Sequence, residues 1–288
     1  QHPERTHSQT RSCCGVQFVR IRWQQLRVDL GAIMTQLDVC IDGIAVWTPS
    51  LPNWEAAQRA LMDLNSEHSA SQSIQNLPIP LPAMLPPAER RRAPETVSLA
   101  LEVARNAIAM WGGNPAELLS IFTSASGDTP IIDHLCNTLV DKPQLISPTR
   151  FLHSIHNAPA GVWSMATANA QANTALSAHR HSFSNGLLEA IVQCHTEQQS
   201  VLLVGYDTAT PHALTGGHED TIPMAVALVL SAKASRSTQG VLHCALKPSQ
   251  GPQSLPQSVC AQQQMATGMA QAWSLLEALA STKTTQFH

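Results

Sequence analysis

The residues with chemistry to offer are thirteen His and seven Cys in a chain of 288. Two His pairs are close enough to act together, His153-Ser-Ile-His156 and His179-Arg-His181. Each could supply two metal ligands, yet neither has an Asp, Glu or Cys beside it at a recognisable ligand spacing. Ordinary hydrogen-bonding roles are therefore expected, with no metal and no cofactor. Cys13, Cys14, Cys40, Cys136, Cys194, Cys244 and Cys260 are odd in number and never in a CxxC spacing. That pattern suits reduced thiols in a cytoplasm better than a disulfide framework. The Gly-rich phosphate loops, the GxSxG elbow and the HExxH zinc helix are all absent. The longest basic run, Arg90-Arg91-Arg92, is too short for a surface that tracks phosphates, so no nucleic-acid partner is expected.

The elements that position these groups alternate. Val39 to Val46 is apolar and β-branched and reads as a strand. Trp54 to Leu64 has helical spacing after Asn53, a suitable N-cap. Pro78 to Pro87 is an extended connector. Glu95 to Trp111 is an amphipathic helix stopped by Gly112-Gly113. Leu118 to Thr123 reads as a buried strand, and Asp128 as the cap of a helix over Pro130 to Val140. Next come a short strand at Leu145-Ile146, a helix over Pro159 to Thr167, a strand over Thr174 to Ala178 and a helix over Ser182 to Cys194. Val201 to Gly205 and Met224 to Leu230 are buried strands, and Val241 to Leu246 is a weaker one. Ala261 to Ala280 closes as an Ala-rich helix. Strands alternating with helices imply a layered α/β fold.

Composition narrows the class. Charged residues make up 13% of the chain, about half the usual ~25%, and the net charge is only −3. These values exclude a coiled coil and a charge-solvated disordered protein. No apolar stretch approaches the ~20 residues of a membrane span, so a soluble, cytoplasmic protein is expected. The first thirty-three residues differ from the rest: five Arg, a Cys13-Cys14 pair and no hydrophobic period. They are expected to be a non-native or disordered extension ahead of a native start at Met34. The expected division is thus 1–33 extension, 34–248 domain, and 249–288 Pro/Gln-rich linker with a C-terminal helix.

The densest local signal runs from Ser147 to Trp163, followed by Thr174 to Ala178 and Val201 to Asp207. Asn157 with Ala160-Gly161, a short strand, a helix opening near Ser182, a strand into Asp207, and Gly216-Gly217 before Pro223 to Leu230 form an ordered set. This order resembles the N-terminal half of β-ketoacyl synthases, the condensing enzymes of the thiolase fold, over most of Leu37 to Ala232. The resemblance implies a thiolase-like layered α/β fold, and only the N-terminal half of a condensing enzyme. In that family the turn before the helix carries a Cys that takes the acyl chain. Here counting from Asp207 puts that position at His179, and counting from Asn157 and Ala160-Gly161 puts it at Arg180. Cys194 lies roughly 20 Å further along a helix. The family's two C-terminal His have no counterpart, because too little chain follows Leu230 for a second half.

The resemblance is therefore to the short chain-length factors of aryl polyene and type II polyketide systems. It implies a non-catalytic subunit that pairs as a heterodimer with a full-length β-ketoacyl synthase and shapes its acyl pocket, meeting acyl carrier protein only indirectly. Ala172 to Ala178 should be an open strand edge covered by the partner, with the apolar excess of the chain mapping to that interface. Ile132, Leu135, Phe151, Trp163, Thr174 and Leu176 are the candidate pocket or interface residues, against the plainer reading that they are core. Arg90, Arg91 and Arg92 are candidates for docking an acidic carrier protein, against a solvated cluster at a helix entry. An alternative is an acyltransferase with a composite site completed by the partner, using His179 or His181 as base. A degenerate, free-standing structural remnant is a third reading.

Overall fold

The computed structural model describes residues 37–62, 77–215, 221–244, 258, 261–262 and 267–281. The expectations for the N-terminal extension, Met34, Gly216-Gly217 and most of the Pro/Gln-rich stretch lie outside those residues. Six strands form one mixed sheet: β1 (Leu37–Trp47), β2 (Leu119–Thr123), β3 (Asn173–Leu176), β4 (Val201–Asp207), β5 (Met224–Ser231) and β6 (Gly240–Cys244). Their order is β3-β2-β4-β5-β1-β6. β3, β2 and β4 are parallel, and each later neighbour is antiparallel to the one before it. The helices are α1 (Trp54–Met62), α2 (Pro87–Arg90), α3 (Glu95–Trp111), α4 (Thr129–Asp141), α5 (Pro148–His153), α6 (Ala158–Thr167), α7 (Ser182–Glu197) and α8 (Ala272–Ala280).

The strand alternation sorts side chains into two cores. Leu202 and Val204 of β4 join Ala225, Ala227 and Val229 of β5 under α3 and α6. Val201 and Leu203 join Val226, Leu228 and Leu230 over α1, α7 and α8. Fully buried central strands read as near-continuous apolar runs for this reason. In β1 the parity changes midway: Val39 and Ile41 share a face with Ile44 and Val46. A register shift between Ile41 and Gly43 makes this possible, since one extra residue turns the strand over. Gly43 also admits α3, because a Cβ there would stand 2.2 Å from the carbonyl oxygen of Ala107.

Local signals account for most boundaries. Asn53 Oδ1 accepts the Ala56 N–H at 2.9 Å, opening α1. Gly112 adopts a left-handed φ of 80° and closes α3. Two elements differ from expectation. Leu145 belongs to a 3-10 turn over Pro143–Leu145, not a strand, because prolines at 143 and 148 punctuate the segment and no strand lies beside it. The closing helix is not continuous over Ala261 to Ala280: among the described residues Ala261 and Gln262 are helical, Thr267 to Gln271 form a bend and turn, and α8 starts at Ala272. Gly268 lets this turn lie against Asp207, since a Cβ there would meet its carboxylate at 2.1 Å. The sequence reading also missed α5, whose first turn is opened by Ser147 and Pro148.

Candidate functional site

The C-terminal ends of the parallel strands β2, β3 and β4 converge on the start of α7, the place where open α/β sheets position their ligands. β3 ends at Leu176, and the chain passes Ala178 and a 3-10 turn over His179–His181 into α7. His179 holds a φ of 52°, a left-handed conformation that costs energy for a residue with a Cβ. Ser182, fully buried, secures this elbow. Its Oγ donates to the His179 carbonyl at 2.6 Å and lies 3.3 Å from the Ser124 carbonyl, while accepting the Ala178 N–H at 3.0 Å. Thr123 Oγ1 in turn donates to the Ser182 carbonyl at 2.9 Å.

Beneath the elbow lies a buried polar junction that sequence reasoning missed. Asp207 accepts from Ser124 Oγ at 2.7 Å and from the amides of Ala125 and Ser126 at 3.1 and 3.2 Å. Burial pushes its carboxyl upward, opposed by those three donors and by His156 nearby. Asp128 caps α4 through the Ile131 N–H at 2.9 Å, as expected, and also accepts from Thr96 Oγ1 at 2.6 Å. One signal was available. A carboxylate closing the apolar strand Val-Leu-Leu-Val-Gly-Tyr-Asp207 has to be satisfied internally.

The two His of the elbow are exposed. Nδ1 of His179 accepts the Arg180 N–H at 2.7 Å. Nδ1 of His181 lies 2.9 Å from the amide nitrogen of Gln271, whose oxygen is held by Ser184 Oγ. Both lone pairs are thus engaged. His156 contacts the Leu176 carbonyl at 2.9 Å, and its own carbonyl accepts from Tyr206 OH at 3.2 Å, tying the end of β3 to β4. Among the described residues no three His, Cys, Asp or Glu side chains gather as a metal cluster. Cys194 is buried in α7, its thiol pushed up to about 11 by desolvation.

The six pocket or interface candidates differ in burial. Trp163 is fully buried under α3, its ring 6.4 Å from that of Phe122, and serves as core. Leu135 is buried, Thr174 and Leu176 are half-buried on β3, and Ile132 and Phe151 are exposed. None of them lines the cleft of about 360 Å³ between β1, α1 and α3, which is bordered by Asn53, Glu55, Glu102 and Arg105. Among the basic candidates, Arg90 is committed to structure: its guanidinium donates to the carbonyls of Ala83 and Leu85, both at 2.9 Å. Arg91 and Arg92 are exposed.

β3 stands at one end of the sheet, paired only with β2 among the described residues. Ser120 donates to the Ala172 carbonyl and Ser124 to that of Leu176. Residues 172, 174 and 176 therefore turn their peptide groups to β2, and Asn173 and Ala175 turn theirs to the open edge.

Comparison with known proteins follows from this geometry. The family model for the N-terminal domain of β-ketoacyl synthases matches residues 64–288. No curated protein matches the chain. Among solved structures it is similar to a ketosynthase in complex with its chain length factor from Xenorhabdus doucetiae. That match has 24% identity and a TM-score of 0.58, covering 69% of this chain and 80% of the other. A β-ketoacyl synthase from Burkholderia phymatum STM815 matches with 15% identity and a TM-score of 0.55, over 68% of this chain and 59% of its own. The ishigamide ketosynthase/chain length factor matches with 11% identity and a TM-score of 0.55, over 68% and 62%. These likenesses establish a thiolase-like layered α/β fold. With the family model matching more than half of its length, the chain belongs to the β-ketoacyl synthase family, through that family's N-terminal domain.

Proposed function

We propose that this chain is a non-catalytic, chain-length-factor-like subunit that pairs with a full-length β-ketoacyl synthase in cytoplasmic, carrier-protein-dependent synthesis of polyketide, aryl polyene or fatty-acid-like chains. The observation that carries this reading is the elbow between β3 and α7. It is a strand-to-helix turn with His179 in a left-handed φ, where the resemblance puts the family's nucleophile at His179 or Arg180, and no residue from Ser177 to Phe183 is a cysteine. An acyl-transfer site needs an activated nucleophile, and Cys194, buried and held protonated, cannot supply one. The solved complexes of ketosynthases with chain length factors support the pairing. Leu135, Thr174 and Leu176, buried or half-buried beside the β3 edge, are the residues proposed to border the shared acyl pocket. Arg91 and Arg92 are the remaining candidates for contact with an acidic carrier protein.

The composite-enzyme reading requires an imidazole with a free lone pair, and Nδ1 of both His179 and His181 is already accepting. The test is co-expression with each full-length ketosynthase encoded in the source genome, followed by size exclusion and a condensation assay. A stable heterodimer is expected, with His179→Ala and His181→Ala leaving turnover within twofold. Loss of turnover in an intact complex would establish the composite enzyme. Failure of every ketosynthase to bind would leave a free-standing remnant.

A further inference from the structure

The two imidazoles of the elbow are held by different means, and one of them depends on the far end of the chain. His179 is held locally: its Nδ1 accepts the N–H of its own neighbour, Arg180. His181 is held by Gln271, which lies 90 residues later. Gln271 stands between buried anchors, Met269 on one side and Ala272 and Trp273 on the other, so a fixed turn delivers its side chain to the start of α7. The backbone of His181 is fixed as well. Its N–H donates to the Ala178 carbonyl at 3.0 Å, and its own carbonyl accepts from Asn185 Nδ2 at 2.9 Å.

The distances fix which way the Gln271 amide points. It lies 2.6 Å from Ser184 Oγ and 2.9 Å from His181 Nδ1. A separation of 2.6 Å suits O–H···O and is too short for N–H···O, so the Gln271 oxygen accepts from Ser184 and the Gln271 nitrogen faces the ring. An amide nitrogen only donates. Nδ1 of His181 therefore presents a lone pair to it, and the proton of the neutral imidazole sits on Nε2. A histidine base is built the other way round: an acceptor, usually a carboxylate, takes Nδ1–H and leaves the Nε2 lone pair facing outward. We propose that Gln271 is a tautomer lock, which keeps His181 as an N–H donor and prevents it from serving as a base or nucleophile. Gln271 is thus a positioning residue that acts through His181. The lock goes beyond the subunit reading and needs no partner, because every group in it belongs to this chain.

Long-range proton–nitrogen NMR on isotopically labelled protein reads which ring nitrogen of each His carries the proton, at a pH of about 8.5, where an ordinary imidazole is neutral. Wild type is compared with Gln271→Glu, which replaces the donor by an acceptor, and Gln271→Met, which keeps the length and removes the donor. Thermal melts confirm which variants keep the wild-type fold. His181 is expected to carry its proton on Nε2 in wild type, on Nδ1 in Gln271→Glu and on either in Gln271→Met. His179, held by a backbone amide, should stay protonated at Nε2 in all three. Diethyl pyrocarbonate acylates the unprotonated nitrogen of a neutral imidazole, so it should modify His181 at least about fivefold faster in Gln271→Glu than in wild type. The exposed His195, further along α7, is the reference whose rate should not change. A wild-type His181 protonated at Nδ1 overturns the lock. So does a His181 that keeps its Nε2 proton in both variants, since Gln271 would then not be what sets it. Equal acylation rates overturn the claim that the lock disarms the ring. Wild type alone decides the first point, and either folded variant decides the second. None of these outcomes depends on a ketosynthase, so the lock and the subunit reading stand or fall separately.

Discussion

Asp207 shows what one buried side chain sets in this fold. Its carboxylate gathers the hydroxyl of Ser124 and the amides of Ala125 and Ser126, and so joins the ends of β2 and β4. Burial nevertheless raises its pKa above the usual 3.8. A carboxyl that binds its proton more tightly when folded than when unfolded makes the fold less stable as pH rises from the unfolded value through the folded one. Asp207→Asn lacks that ionisation. The stability of wild type relative to Asp207→Asn should therefore fall as pH rises above about 4. Urea unfolding midpoints of both proteins between pH 4 and 7 measure it, and a difference that is flat or rises with pH contradicts the assignment. Asp128 was legible as a cap from its place before Pro130; its bond to Thr96, thirty-two residues earlier, was not. Hydrogen bonds between distant elements leave no local spacing to read.

At the scale of elements, periodicity located most strands and helices, and it missed α5, which buries no residue. The failures were local. Leu145 and Ile146 are apolar enough for a strand, but a strand needs a neighbour, and prolines on both sides confine them to a turn. The elbow was legible only as a choice between His179 and Arg180, of which His179 carries the left-handed φ. The packing of α3 on β1 was not legible, since it depends on Gly43 facing the backbone of Ala107. Gly43→Ala forces that oxygen and a new Cβ apart from 2.2 Å and should cost about 1–3 kcal/mol through overpacking. Equilibrium denaturation gives the value, and an unchanged midpoint would show that α3 does not rest on this residue.

For the domain as a whole, the low charge and high apolar content have two destinations. One is a pair of ordinary cores on the two faces of the sheet. The other is the surface of α4 and α5, where apolar residues remain in water. The β3 edge offers polar backbone groups, and exposed apolar side chains lie on the helices before it. An anilinonaphthalene sulfonate dye should fluoresce on the native, isolated chain. Val140→Glu and Phe151→Glu should reduce that signal at unchanged melting temperature, and Leu81→Glu should not. Equal signals from all four proteins would place the dye, and the exposed apolar area, elsewhere.

The sequence by itself determined the layered α/β class, the order of its elements, the family resemblance and the lack of a cysteine at the elbow. All of these follow from residue type and short spacing. Only the tertiary structure decided that Trp163 is core, that Arg90 holds the connector, that Asp207 joins two strands, and that the α4 stripe faces outward. An amphipathic helix has the same period whether its apolar face meets the core or a partner. Which of the two it meets depends on what else the chain brings alongside, and only the folded chain settles that.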